Sequence, residues 1–234
     1  MNVKIFLVVS PKDEYINTIL DAIRIFADPV QKHGSHITLR GPYERDFDNL
    51  DEVKFLEKKI EEIEKKIIGT KVIVEGINHF FNHGQNTVYF NCIKDEKLLE
   101  VMYKKNYRKE KNPHITIYDG KDVDFSKQLF NRLYNKKIYF EFDIEKVDTL
   151  VSIYKSQGRM FLLKDTLNFS ILSEILSLDI TYELILKMQQ TERLDYIEKL
   201  ANLLIDNSYY VRKDNFLIKK EEITNAVSQY PFRF

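Results

Sequence analysis

The side chains best suited to chemistry lie in a phrase that the chain contains twice: His36-Ile37-Thr38-Leu39 and His114-Ile115-Thr116-Ile117. With 5 His and 10 Thr among 234 residues, chance placement gives about 0.2 His-x-Thr triplets, so two copies in like surroundings call for a reason. Imidazole titrates near neutrality, so one copy can act as a neutral base while the other is a protonated acid. A phosphodiester needs both, one to deprotonate the attacking oxygen and one to protonate the leaving oxygen. It also needs donors for the non-bridging oxygens as charge builds up. Thr38 and Thr116 lie one pleat along from the histidines and can supply them, and Arg40 adds a charge-assisted contact. The bland alternative is a pair of buried strand histidines bonded to their neighbouring threonines. A two-histidine zinc site is the metal alternative, but its carboxylate would come from an unidentified loop. No metal and no cofactor are expected.

To bring these residues together, both phrases must be strands: β-branched, apolar runs bounded by Gly or Pro. Side chains alternate along a strand, so Ile37 and Leu39 face a core and His36, Thr38 and Arg40 the other side. Likewise Ile115 and Ile117 face inward, and His114, Thr116 and Tyr118 share the opposite face. The apolar run 3–9 predicts a first strand. A helix follows, with Ser10 as N-cap, Pro11 at its first position and Ile16, Ile19, Leu20 and Ile23 as its stripe. Gly41-Pro42 is expected to end the first histidine strand. Residues 48–68 predict a long amphipathic helix on Val53, Leu56, Ile60, Ile63 and Ile67, its Lys/Glu-rich remainder a solvated face. Strands follow at 71–77 and 86–93 around a turn at 80–84, with His79 and His83 at the surface and His33 toward the cleft mouth. A helix at 95–104 and a basic loop at 104–109 lead to the second histidine strand. Then come a helix at 125–134 and strands at 138–142, 147–154 and 159–163. From each histidine strand the order is strand, helix, strand, strand, a weak repeat offset by 78 residues. Two lobes facing one another would place both polar strand fronts in one cleft.

The totals set bounds on this reading. The chain has 44% hydrophobic and 31% charged residues and zero formal net charge, a globular composition with no overall pull toward nucleic acid or membrane. Cys92 is its single cysteine, which excludes a disulfide framework and suits a reducing, cytoplasmic setting. No apolar run reaches membrane-spanning length. Two domains are expected: residues 1–164, carrying both motifs, and a mostly helical extension, 165–234. In the extension helices are read at 169–178, 182–189 and 192–206, a hairpin at 209–220 and a last helix at 221–228, an order that suits a small winged-helix-like module. From Asp165 onward 8 basic face 11 acidic residues, so this part suits packing, self-association or a protein partner better than nucleic acid.

The doubled His-x-Thr, each with a hydrophobic residue after it, resembles the 2H phosphoesterase superfamily, also called the 2′-5′ RNA ligase-like or cyclic phosphodiesterase family. Val74-Glu75-Gly76-Ile77, Phe80-Phe81, Thr87-Val88-Tyr89-Phe90 and the segment 140–154 running into Ser156 are similar to it too. The resemblance covers residues 1–164 and not the extension. It implies an α+β, bilobal, pseudo-twofold fold with two antiparallel sheets around a central cleft. It also implies metal-independent hydrolysis of a cyclic phosphate, or of a 2′-5′ or 3′-5′ phosphodiester, in a small nucleotide, cyclic oligonucleotide or RNA end. His36, Thr38, His114 and Thr116 match its catalytic positions, with His114 assigned as base and His36 as acid, roles that similar enzymes exchange with reaction direction. Tyr118 and Tyr154 are candidates for base stacking or phosphate contact. A non-enzymatic nucleotide sensor with a partner on its helical extension, and a 2′-5′ RNA ligase, are the competing readings.

Overall fold

The computed structural model describes residues 2–46, 49–102, 111–153 and 162–205. Seven strands and seven α-helices are found among them: β1 Asn2–Val9, α1 Glu14–Ala27, β2 Ile37–Asp46, α2 Leu50–Ile67, β3 Lys71–His79, β4 Val88–Cys92, α3 Glu96–Val101, β5 His114–Tyr118, α4 Val123–Leu133, β6 Tyr139–Asp143, β7 Asp148–Ile153, α5 Phe169–Leu176, α6 Tyr182–Lys187 and α7 Gln190–Asn202. The chain is α+β, with two antiparallel sheets ordered β2-β1-β7 and β5-β4-β3-β6. Each histidine strand is an edge strand, and each pairs with the strand lying one helix earlier. The repeat in space is therefore β1-α1-β2 against β4-α3-β5. The four-element order read from the sequence is present, but β3 leaves the first unit to sit beside β4, and β7 returns to β1.

Several boundaries move for identifiable reasons. α1 starts after Asp13, whose carboxylate accepts from the Ile16 amide at 3.0 Å; Ser10 and Pro11 precede it, and Lys12 reaches across to an ion pair with Asp148 on β7. β2 does not end at Gly41-Pro42. It bulges there and resumes its pairing, with Ile5 opposite Tyr43 and Val3 opposite Arg45. An edge strand tolerates a proline, which has no N–H to give, and Gly41 takes φ +118° where a Cβ would lie 2.7 Å from the Ile5 carbonyl oxygen. Leu163–Asp165 is a 3₁₀ turn, not the end of a strand, and its first amide donates to the Gln31 carbonyl at 2.8 Å. Residues 103–110, most of 159–163 and the hairpin and last helix read at 209–228 lie outside the described residues.

α1 is buried nearly all round, more than its single predicted stripe requires. One side packs on β5 and the other is covered by α5 and α7. The Phe26 and Tyr196 rings stack at 5.1 Å, the Tyr182 hydroxyl donates to the Pro29 carbonyl at 3.1 Å, and the Tyr139 amide donates to the Leu204 carbonyl at 2.8 Å. Leu172, Ile185, Leu194, Ile197 and Leu200 belong to the same apolar core as Ile19, Ile23, Ile37 and Ile115. The change of pattern near residue 164 is thus a change from sheet to helix within one continuous core. No helix among the described residues is long and apolar enough to cross a membrane.

Candidate active site

β2 and β5 lie against one another where the two sheets meet, and a cleft of about 390 Å³ opens over them. His36, Thr38, His114 and Thr116 all line it. The two strands reach this point by the same local device. In β2, Leu7 and Val8 pair with Arg40 and Thr38, leaving Leu39 extra; in β5, Val88 and Tyr89 pair with Tyr118 and Thr116, leaving Ile117 extra. Each bulge falls on the residue after the threonine, where the extra residue bends the strand and raises its twist.

The imidazoles are held alike. His36 Nδ1 lies 2.8 Å from the Gly34 carbonyl oxygen and His114 Nδ1 2.7 Å from that of Asn112, in each case two residues upstream. A carbonyl only accepts, so Nδ1 donates and the lone pair of the neutral ring resides on Nε2. The loops that offer these carbonyls are themselves braced. Asp21 accepts from the Ser35 amide at 2.5 Å, beside Gly34. Asn112 donates to the Tyr89 hydroxyl at 3.0 Å, and the Pro113 carbonyl accepts from Cys92.

The surroundings of the two rings differ. His114 meets Phe80 edge-on at 5.1 Å and Tyr89 at 4.9 Å. His36 sits near the buried guanidinium of Arg24, and burial, followed by the charge of Arg24, pushes its pKa down to about 4 although the Gly34 contact acts in the opposite sense. His33 also lines the cleft, with its pKa lowered by burial and by Arg24.

Arg40 lines the cleft as expected, its Nε donating to the Val101 carbonyl at 2.6 Å. Tyr118 does not. It is buried in the core against Phe125, at 5.0 Å between ring centroids, and its hydroxyl accepts from the Asp122 amide at 3.0 Å. Tyr118 thus departs from the alternation that puts Thr116 on the cleft, whereas Arg40, after the equivalent bulge in β2, keeps it. Tyr154 lies outside the described residues. His79 stacks on Phe81 at 4.1 Å, and His83 is exposed.

Phe6, Lys111 and Arg24 are among the lining residues that escaped the sequence reading. Phe6 faces the cleft beside its cross-strand partner Leu150, because Ile5, Leu7 and Val9 take the core face of β1; alternation along β1 was the available signal. Lys111 contributes a cation from the segment before β5 and donates to the Leu99 carbonyl. Arg24 lies at the base of the cleft, donating from Nε to the His33 carbonyl at 3.1 Å and from Nη1 to the Thr116 carbonyl. Its signal was helical spacing, since it falls four residues after Leu20 and eight after Ile16. With Asp119 the one acidic residue on the wall, the three cations Arg24, Arg40 and Lys111 give the cleft a positive field beside an apolar patch of Phe6, Met102 and Leu150. Among the described residues no group of three or more His, Cys, Asp or Glu side chains is arranged to hold a metal ion. No family profile matches the chain, and no curated protein matches it in sequence.

Proposed function

We propose that the protein is a metal-independent phosphodiesterase of the 2H phosphoesterase kind, acting in the cytoplasm on a cyclic phosphate or a 2′-5′ or 3′-5′ phosphodiester of a small nucleotide, cyclic oligonucleotide or RNA end. The observation that carries this reading is the matched pair of imidazoles on one cleft, each pinned through Nδ1 to a backbone carbonyl. Fixed rings that present Nε2 to the cleft, one free to take a proton and the other to give one, are what proton transfer on the two sides of one phosphorus requires. The cations favour the anionic ester, the threonines offer hydroxyls to its non-bridging oxygens, and Phe6 offers a ring against which a base can stack. A ring titrating at about 4 is unprotonated at neutral pH, which favours His36 as the base, the reverse of the assignment made from sequence, and leaves the role of acid to His114 by elimination.

The test is turnover of a panel of nucleoside 2′,3′-cyclic phosphates, 2′-5′ oligoadenylates and cyclic dinucleotides, with and without EDTA. Product formation that chelation leaves unchanged is expected, with kcat/KM falling only as pH drops through about 4 on the acid side. Tight binding of a panel member with no turnover would move the reading to a nucleotide sensor.

A further inference from the structure

Arg24 is a buried cation joined to both halves of the repeat. Guanidinium stays charged in proteins and presents its N–H groups in a planar fork. Here one arm holds the carbonyl of His33, three residues before the first catalytic histidine, and the other holds the carbonyl of Thr116, two residues after the second. Such a fork sets a fixed angle between the two groups it joins. The helix that carries it is buried between β5 and the C-terminal helices, so its backbone is well anchored. Asp21, one turn earlier on the same helix, holds the Ser35 amide of the loop whose Gly34 carbonyl clamps His36.

We propose that Arg24 is a positioning residue that ties the loop leading into the first histidine strand to the second histidine strand and sets its positive charge beside the ring of His36. The role rests on the reading of His36 as base. The charged and titratable groups around His36 and Arg24 are Asp21 on α1, Asp28 just after it, His33 in the adjoining loop, His114 on β5 and Asp119 beyond β5, with Arg40 and Lys111 on the cleft walls. Arg24, His33 and His114 disfavour a second positive charge on His36, and burial acts in the same direction. Arg24 has the largest charge effect of these on His36. A guanidinium whose charge did not reach the ring of His36 would be replaceable by a neutral donor without moving that titration.

NMR titration of the His36 imidazole in folded Arg24→Gln and Arg24→Lys, alongside wild type, reads this directly. Removing the charge in Arg24→Gln is expected to raise the His36 midpoint by about one pH unit, and the acid limb of kcat/KM should move with it. Arg24→Lys retains the charge but not the fork, so its midpoint should stay near wild type while kcat falls about 10-fold or more through misplacement. An unmoved midpoint in Arg24→Gln overturns the proposal, and so does wild-type kcat in Arg24→Lys. If the glutamine variant does not fold, a His36 midpoint in Arg24→Lys that departs from wild type despite the retained cation also overturns it. The titration needs no substrate, so it decides the role of Arg24 separately from whether the chain turns over a phosphodiester.

Discussion

His36 and His114 hold matching places in two copies of a strand–helix–strand unit, and the chain treats them alike as far as the backbone goes. Both rings are clamped two residues upstream, both strands bulge after the threonine, and both loops are braced from behind. Their neighbours differ. The first ring is near a buried arginine, and the second packs against the touching rings of Phe80 and Tyr89. Equal geometry in unequal surroundings is what the proposed division into base and acid calls for, because position comes from the repeat while proton affinity comes from what the repeat does not share.

The largest effects should come from the rings themselves. His36→Ala and His114→Ala are each expected to lower kcat on a cleavable phosphodiester by about 10²–10⁴-fold, with folding intact by circular dichroism. If one substitution leaves turnover near wild type, the two-histidine division of labour fails. Next come the hydroxyls. Thr38→Val and Thr116→Val should each reduce kcat by roughly 10²-fold if they steady charge in the transition state, and a loss confined to KM would limit them to binding.

The electrostatic half of the comparison can be read from stability alone. The folded-state value of about 4 for His36 lies below the ordinary 6.5. Between those values the unfolded chain takes up a proton that the folded chain excludes. His36 therefore imposes no penalty above about pH 6.5, and stability falls as pH drops toward 4, by roughly 3 kcal/mol for a shift of this size. Chemical denaturation of wild type against His36→Gln across this window isolates the effect from Asp21, whose carboxyl burial pushes upward. Parallel curves for the two proteins would remove the asymmetry. The smallest effect concerns Tyr118. Because its hydroxyl bonds to the Asp122 amide within the structure, Tyr118→Phe should cost about 1 kcal/mol of stability and leave kcat/KM unchanged. A drop in kcat/KM would return Tyr118 to the cleft.

Much of the site was legible because its signal is local. A histidine and a threonine two apart on a β-branched run are forced onto one strand face, and the core-facing isoleucines 37 and 115 are fully buried as alternation demands. The stripe of α2 likewise buries Leu56, Ile63 and Ile67. What was misread depends on irregularity or distance. Tyr118 was assigned by strict alternation, but its ring turns into the core against Phe125. Gly41-Pro42 looked like a terminator, yet an edge strand can bulge past it. Ser10 lost the cap to Asp13, whose carboxylate reaches the Ile16 amide. Arg24 was passed over because a charged residue in a helix is ordinarily placed in solvent.

The sequence by itself determined the secondary elements, the repeat and the polar strand fronts, since these follow from propensity, capping and period within a few residues. Only the tertiary structure decided which strands became neighbours, that α5 and α7 close over α1, and that one guanidinium ties the loop before the first histidine strand to the second histidine strand. Those outcomes turn on which faces bury each other and on how a buried charge finds its acceptors, and the partners stand 92 residues apart in the case of Arg24 and Thr116. Proton affinity belongs with them, because it is set by desolvation and by charges that the chain brings near only when it folds.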